Sequence, residues 1–370
     1  MGIELFNYLK RRKKGGGNAL PTIEPETVPE YEAGYDVEKN TVIRLVNPKK
    51  KIKSAYKVSG LDDVVSKNNW KGWLYLAPVI ILIAVFLLYP LVNTIIIAFT
   101  KDYSYATNTG NGFTFDNFGV ILGLKNHVAA NGQEAQEKFF LPYAVPNTMI
   151  ITIVTVPLSI LLALIIAVAL NSIKWFQKFL QTLFFLPYVT NTIAIGMVFA
   201  VIFDKNGIIN SLFGLGNFAW IHGANRWVAM IPLCIYIIWN SIPFKILILL
   251  SGLQGVDKQY YQAAQIDAAP KSKVLWRITV PLLSPQILYL MITSFIGAFK
   301  EYTSVVAIFE GPSTVKGSST IKDMMTIVYY VYDNIYDNTS YAAAAAVFLF
   351  VIILLFTVLQ FWASNKRVHY

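Results

Sequence analysis

Six long apolar runs dominate the pattern of hydrophobic and polar positions along the chain. They lie at residues 73–99, 142–170, 179–203, 228–250, 285–308 and 342–362. A helix needs about 20 mostly apolar residues to cross the hydrocarbon core of a bilayer, and every run is long enough. The pattern therefore predicts an all-α fold, a polytopic membrane bundle of six transmembrane helices.

A long polar segment precedes the first run and divides the chain into two regions. Residues 1–72 are predicted to form a cytoplasmic tail that is partly disordered, because a glycine run and a Pro- and Glu-rich stretch offer little apolar surface to bury. A lysine-rich patch at 49–53 either rests on anionic headgroups or is simply solvated. Residues 73–365 form the membrane domain, which includes a polar loop at 251–284.

Composition and charge placement agree with a membrane location. The chain is 55% hydrophobic and 14% charged, whereas about a quarter of the residues are charged in an average soluble protein. With the N-terminus inside, 22 of the 31 Lys and Arg residues fall on the inner side and 7 on the outer side, mainly because of the tail. Both termini and the polar loop are therefore predicted to be cytoplasmic. The net charge of +10 accompanies no nucleic-acid-binding motif, so membrane lipid is an expected partner and nucleic acid is not.

Side chains that commonly carry catalysis or hold metals are sparse. Cys234 is the one cysteine and lies in an apolar run, where it is expected to be a small buried hydrophobe. The three histidines, His127, His222 and His369, lack the spacing of metal ligands. The sequence contains no nucleophile with a base, no carboxylate pair and no phosphate-binding Gly-x-x-x-x-Gly-Lys-Ser/Thr loop. These observations argue against an enzyme and against a cofactor or metal held by this chain.

The polar loop at 251–284 has the pattern of helix, turn and helix. Good helix formers run from 258 to 268, and Pro270 disfavours helical backbone at the residue before it. A second helical stretch follows at 271–279. Small residues make part of this surface suitable for close approach by another protein, although the loop can equally pack on its own bundle. The small residues are Ala263, Ala264, Ala268 and Ala269.

Within this loop, residues 262–269 read Gln-Ala-Ala-Gln-Ile-Asp-Ala-Ala, and residues 278–281 read Ile-Thr-Val-Pro. The spacing resembles the cytoplasmic signature of permease subunits of binding-protein-dependent ABC importers, particularly the maltose-type sugar permeases. That signature is Glu-Ala-Ala, two residues, Asp-Gly-Ala, a spacer and Ile-x-Leu-Pro. Gln262 replaces the usual Glu, and Ala268 replaces the usual Gly, which predicts a turn without positive φ at that position. The resemblance extends to residues 186–188, 206–210, 253–255, 310–312 and 341–347.

The resemblance implies the type I permease fold of ABC importers in the bacterial cytoplasmic membrane. The chain is then expected to line the pathway of a sugar, in particular an oligosaccharide, that an extracellular solute-binding protein delivers. Its partners are a second related permease and two ATP-binding subunits, which hold the ATP and Mg. The loop residues that couple to the ATPase are then Gln262, Ala263, Ala264, Asp267, Ala268 and Ala269. The alternatives are a permease for glycerol phosphate or another small solute and an ATP-independent secondary transporter.

Charged and polar residues inside the runs are candidates for contact with substrate. Lys245 lies near the inner end of its run and is expected to extend its ammonium toward the inner boundary, away from any pair with Glu301. Phe295, Phe299 and Tyr302 recur at i, i+4 and i+7, which suits stacking on a sugar or ordinary helix packing.

Other polar side chains in the runs, with hydrogen-bonding groups for sugar hydroxyls or for neighbouring helices, complete the predicted pathway. The predicted pathway residues are Phe295, Phe299, Tyr302, Glu301, Asn240 and Asn191. The outer segments 100–141 and 309–341 are expected to meet the binding protein.

Overall fold

The computed structural model describes residues 35–36, 41–42, 69–128, 134–135, 139–173, 177–311 and 323–364. The chain separates into two compact units, Met1–Tyr75 and Leu76–Tyr370. In the first unit, strands β1 (Tyr35–Asp36) and β2 (Thr41–Val42) pair antiparallel. The glycine run, the Pro- and Glu-rich stretch and the lysine patch of the tail lie outside the described residues, so the predictions about them stay predictions.

Helices make up most of the other described residues. In chain order they are α1 (Asn69–Ile83), α2 (Tyr89–Ala98), α3 (Asp116–Ile121), α4 (Val145–Ser172), α5 (Gln177–Val189), α6 (Thr192–Ile202), α7 (Ile208–Phe213), α8 (Arg226–Gly255), α9 (Lys258–Ile266), α10 (Lys271–Val274), α11 (Val280–Leu282), α12 (Ser284–Phe299), α13 (Thr303–Phe309), α14 (Ile327–Asn334) and α15 (Thr339–Ser364). Single π-helical turns lie at Ala84–Leu88, Phe140–Ala144 and Leu275–Thr279, and strands β3 (His127–Val128) and β4 (Glu134–Ala135) pair antiparallel.

The described helices account for four membrane spans, or for six if each bent pair of helices is one span. Four are continuous, and two are pairs of helices bent by 95° and 70° at a short break. Counting each bent pair as one span confirms the predicted all-α bundle of six. The continuous spans are Gly72–Ala98, Phe140–Ser172, Arg226–Gly255 and Thr339–Ser364, and the bent pairs are Lys178–Val189 with Thr192–Ile202 and Lys271–Leu282 with Ser284–Phe299.

Asn191 forms the break in the third span. Its backbone is extended, with ψ of 119°, and its side chain accepts hydrogen bonds from the backbone N–H groups of Ile193 (2.9 Å) and Ala194 (3.3 Å). An Asn at this position caps the first turn of α6, because the first N–H groups of a helix have no partner within it. Asn191 therefore acts as a helix cap, and it does not line the central cavity described below.

The helix α12 of the fifth span ends at Phe299, and a break at 300–302 separates it from α13, which corrects the prediction of one continuous helix over 285–308. The backbone leaves helical geometry at Tyr302, where φ is −140°, so Phe295, Phe299 and Tyr302 do not form one helical stripe. Phe299 is buried, and both it and Phe295 contact Phe356 on α15, with ring centroids 5.1 and 6.1 Å apart. These two phenylalanines pack against the last span, which was the alternative to stacking on a sugar.

One cluster of buried core side chains lies where α4, α8 and α12 meet. Small side chains on α4 allow a close approach, and aliphatic side chains of α8 and α12 fill the remaining space. Burying one such aliphatic side chain contributes about 1.5–3 kcal/mol relative to exposure in water, although lipid reduces that gain for a membrane bundle. The core residues at this junction include Ala163, Ala167, Ile246, Leu249, Leu253 and Leu290.

Candidate functional site

A cavity of about 340 Å³ lies among α4, α5, α6, α8, α12 and α13, beside both broken spans. Its lining is rich in hydroxyl, amide and charged groups, although lipid-facing helices surround it. Polar groups are costly in the interior of a membrane protein and commonly mark the path of a polar substrate. The polar lining residues are Thr155, Thr192, Asn240, Ser241, Lys245, Thr293, Ser294, Glu301 and Ser304.

Lys245 contributes a buried ammonium group to this cavity. The residue is 4% exposed, and its Nζ donates to Ser159 Oγ on α4 (2.8 Å) and to Ser241 Oγ one turn earlier on α8 (2.9 Å). The prediction that Lys245 reaches the inner boundary is therefore wrong. The helix continues beyond the apolar run to Gly255, which places Lys245 about 15 Å from the helix end.

Glu301 lies in the break between α12 and α13 and lines the same cavity. Its Oε1 accepts the backbone N–H of Ser304 (2.9 Å), so the side chain caps the first turn of α13. Its backbone carbonyl accepts the hydroxyl of Thr326 (2.7 Å). The side chain of Glu301 therefore lines the cavity, and its main-chain carbonyl bonds to the segment before α14.

Two aromatic rings join the polar groups on the cavity wall. Tyr188 on α5 and Phe244 on α8 stack with centroids 5.7 Å apart and planes inclined by 18°. The hydroxyl of Tyr236 donates to the carbonyl of Thr192 (2.6 Å) and supports the broken third span. Sequence reasoning missed the aromatic pair, because the two residues are far apart in sequence and only the fold brings them together.

Of the predicted pathway residues, Asn240 and Glu301 line the cavity. Tyr302 lies beside it, stacked on Tyr332 at 4.5 Å and close to Tyr329 at 5.2 Å. The cavity is therefore lined by some of the predicted residues and by Lys245, which the sequence prediction assigned elsewhere.

The segment that leads into α14 is bound to α4 by buried amide and hydroxyl groups. Asn147 is fully buried, and its Nδ2 donates to the carbonyls of Asp323 and Met325 (2.8 Å each). The backbone N–H of Ile327 donates to Thr148 Oγ1 (3.0 Å). Part of the predicted outer segment 309–341 is therefore packed within the bundle and is not a simple connecting loop.

In the polar loop, one face of α9 packs on the bundle, and the opposite face, called here the outer face of α9, is exposed to solvent. Asp257 caps its first turn by accepting from the backbone N–H of Gln259 (2.9 Å). Ala264 is 6% exposed and faces its own chain, which is the alternative that the sequence left open for these small residues. The outer face carries Gln262, Ala263 and Ile266, whose side chain is 86% exposed.

The turn after α9 also differs from the prediction. Ala268 has a φ of +48°, which is the left-handed conformation expected of the glycine that it replaces. The backbone N–H groups of Ala268 and Ala269 bond back to the carbonyls of Gln265 and Ala264, each at 3.0 Å. This closing pattern at a helix end requires the positive φ. Asp267, just before the turn, is exposed.

Comparisons with known proteins place the chain in one family. Residues 156–369 match the family described as binding-protein-dependent transport system inner membrane component. The lactose transport system permease protein LacF of Rhizobium radiobacter is 30% identical over 305 residues, 80% of this chain and 94% of that protein. The arabinooligosaccharides transport system permease protein AraP of Bacillus subtilis is 28% identical over 323 residues, 85% of this chain and 95% of that protein.

Two further relatives extend the comparison. The sn-glycerol-3-phosphate transport system permease protein UgpA of Agrobacterium fabrum is 26% identical over 313 residues, 84% of this chain and all of that protein. A chain of a bacterial ABC transporter that imports the acidic polysaccharide alginate shares the fold, with a TM-score of 0.63, 21% identity and coverage of 84% of this chain and 99% of that chain. The chain is therefore a multi-pass membrane protein that belongs to the family of inner membrane components of binding-protein-dependent transport systems.

Proposed function

We propose that this chain forms part of the pathway by which an ATP-driven importer moves a sugar across the membrane. The observation that carries the proposal is the polar cavity among the spans, with Asn240, Lys245 and Glu301 on its wall. A sugar offers hydroxyl groups that both donate and accept hydrogen bonds, and its C–H faces pack on rings such as those of Tyr188 and Phe244. LacF and AraP, named for lactose and arabinooligosaccharide transport, support a saccharide as the substrate class.

The proposed assembly contains a second related permease, two ATP-binding subunits and an extracellular solute-binding protein. The sequence has no phosphate-binding loop of its own, so ATP hydrolysis is assigned to a partner. The outer face of α9 is the proposed contact with that ATPase, because it presents the exposed Ile266 beside the small Ala263. A short helix with one anchoring apolar side chain suits a groove on a partner protein.

Coupling is proposed to pass through α9 into the bundle. Ala264 packs the helix on its own chain, and the hydroxyls of Tyr261 and Thr279 lie 3.4 Å apart across the loop. A movement of the ATPase would then move α9 together with the inner ends of α8 and α12. Alternating access between an inward-open and an outward-open state follows from such a rigid-body displacement.

A permease for glycerol phosphate is the second candidate, and one observation favours it. The ammonium of Lys245 lines the cavity, and a phosphate group would gain from a fixed cation. UgpA, named for sn-glycerol-3-phosphate transport, covers 84% of this chain.

ATP-dependent uptake tests the proposal. The full chain, purified with the subunits that co-purify with it, is placed in proteoliposomes with the solute-binding protein of the same host and radiolabelled disaccharides. Uptake is expected with ATP and not with a non-hydrolysable analogue. Equal uptake without ATP would support the secondary transporter instead, and uptake of glycerol phosphate alone would support the second candidate.

A further inference from the structure

Two ionisable side chains of opposite type line the central cavity without forming an ion pair with each other. Lys245 and Glu301 both contribute to its wall. Among the residues that the structure describes, the one ion pair within 4.0 Å joins Lys125 and Asp116, so the ammonium and the carboxylate of the cavity do not pair with each other. A charge inside a membrane bundle is costly, and one that is not neutralised by a partner requires another reason to be there.

Both side chains also make structural contacts. The Nζ of Lys245 has three protons, and its bonds to Ser159 and Ser241 use two of them. The carboxylate of Glu301 caps α13 through Oε1, but the neutral amide of a Gln offers the same oxygen for that bond to Ser304. Glu301→Gln therefore removes the ionisable group and keeps an acceptor for the cap.

Together, Lys245 and Glu301 give the cavity a fixed donor and a fixed acceptor, and their two charges sum to zero. A neutral polyhydroxylated ligand donates a hydroxyl proton to Glu301 and accepts from Lys245. An anionic ligand gains from Lys245 but is repelled by Glu301, and it also loses its hydration on entry. For an anionic ligand the two charges therefore offset each other and its lost hydration stays uncompensated, whereas a neutral polyhydroxylated ligand bonds to both groups.

We infer that Glu301 offsets the attraction of Lys245 for anionic substrates, so that the cavity, with no net charge, favours a neutral polyhydroxylated ligand. This inference rests on the proposed function, in which the substrate passes through this cavity. It decides between the two candidates given above, because a sugar phosphate or glycerol phosphate is disfavoured even though Lys245 is present.

Calorimetric binding to the permease tests the inference directly. The full chain is purified in lipid nanodiscs with its co-purifying subunits and titrated, in the absence of the solute-binding protein, with lactose, maltose, sucrose and sn-glycerol 3-phosphate. The wild-type protein is expected to bind at least one disaccharide more tightly than glycerol phosphate. Glu301→Gln should shift this ratio toward glycerol phosphate about tenfold, equivalent to about 1.4 kcal/mol.

Lys245→Met should shift the ratio about tenfold in the opposite direction, and the double variant should return it close to the wild-type value. Opposite shifts distinguish an effect of charge from a packing defect, which weakens all ligands alike. Lys300→Met and Glu310→Gln are matched controls, because both residues are exposed and neither lines the cavity. Both controls should leave the ratio unchanged.

The outcomes separate this inference from the proposed function. Disaccharide binding with an unchanged ratio in Glu301→Gln overturns the inference and leaves sugar transport standing. A wild-type protein that binds glycerol phosphate and no disaccharide overturns the inference and favours the second candidate. Binding of none of the four ligands overturns the cavity as a substrate site, and the inference with it.

Discussion

Gly196 on α6 and Ala307 on α13 approach each other so closely that a Cβ on residue 196 would overlap the Cβ of Ala307. Each helix begins directly after an interruption beside the cavity, α6 after Asn191 and α13 after the break at 300–302. Small residues let membrane helices approach at backbone distance, and this contact therefore fixes the spacing of the two segments that follow the breaks.

Gly196→Val is expected to destabilise the bundle by about 1–3 kcal/mol, because the added side chain must displace Ala307 or move α13. Thermal unfolding of the purified chain in detergent measures the effect. Gly255→Ala is the matched control, since nothing lies within 4 Å of an added Cβ there. Equal midpoints for the two variants would contradict the close contact.

The two faces of α9 should respond differently to substitution. Ile266→Ser is expected to leave the stability of the chain unchanged and to weaken co-purification of the ATPase about tenfold to a hundredfold, since burial of such a side chain contributes about 1.5–3 kcal/mol. Ala264→Leu, on the inner face, should lower the unfolding midpoint. Full recovery of the ATPase with Ile266→Ser would exclude this face as the docking surface.

The turn at Ala268 predicts a stabilising substitution. Left-handed backbone costs a residue with a Cβ about 1–2 kcal/mol, so Ala268→Gly should raise the unfolding midpoint. Ala269→Gly is the control, because Ala269 is not among the residues with positive φ and gains nothing from the change. A lower midpoint for Ala268→Gly than for the wild type would be inconsistent with the described turn.

Substitution of Asn147 should destabilise the packing of the segment before α14 on α4. Its side chain makes three hydrogen bonds, two to the carbonyls of Asp323 and Met325 and one from Arg226 Nε (2.8 Å). Asn147→Leu leaves these groups buried without that partner, at a cost of about 1–3 kcal/mol for each unsatisfied group. Limited proteolysis near 323–334 should accelerate in this variant and not in Asn206→Ala, an exposed control.

Sidedness of the loop can be measured by cysteine labelling. In a Cys234→Ser background, Thr107→Cys should react with a membrane-impermeant maleimide in intact cells, and Ser272→Cys should react only after lysis. Both positions are exposed in the chain, so access to reagent reports membrane side alone. Labelling of Ser272→Cys in intact cells would reverse the predicted orientation.

The spans were predictable from sequence because apolar length is a local property. The position of Lys245 was not, since the apolar run ends at 250 while the helix continues through polar residues to Gly255. The interruption at 300–302 was missed for another reason. Neither Pro nor Gly marks it, and side-chain capping by Glu301 with a bond from Thr326 stabilises the irregular backbone instead.

Contacts between residues that are far apart in sequence are the part of the site that could not be predicted. Asn240 and Glu301 were identified because polar residues in apolar runs are conspicuous on their own. The stacking of Tyr188 on Phe244, and the contacts of Phe295 and Phe299 with Phe356, depend on which helices become neighbours. Ala268 was predicted from the usual conformational preference of alanine, which the closing hydrogen bonds of the helix end override.

The side chain of Thr326 connects two parts of the bundle, one of them through its bond to the carbonyl of Glu301. Thr326 is fully buried and also accepts from the backbone N–H of Tyr329, so the start of α14 and the interruption after α12 share a single hydroxyl. We therefore expect a tilt of α14 to move the main chain of Glu301 and the carboxyl group with it. A protein that binds α14 would then alter the balance of charge in the cavity without contacting the ligand.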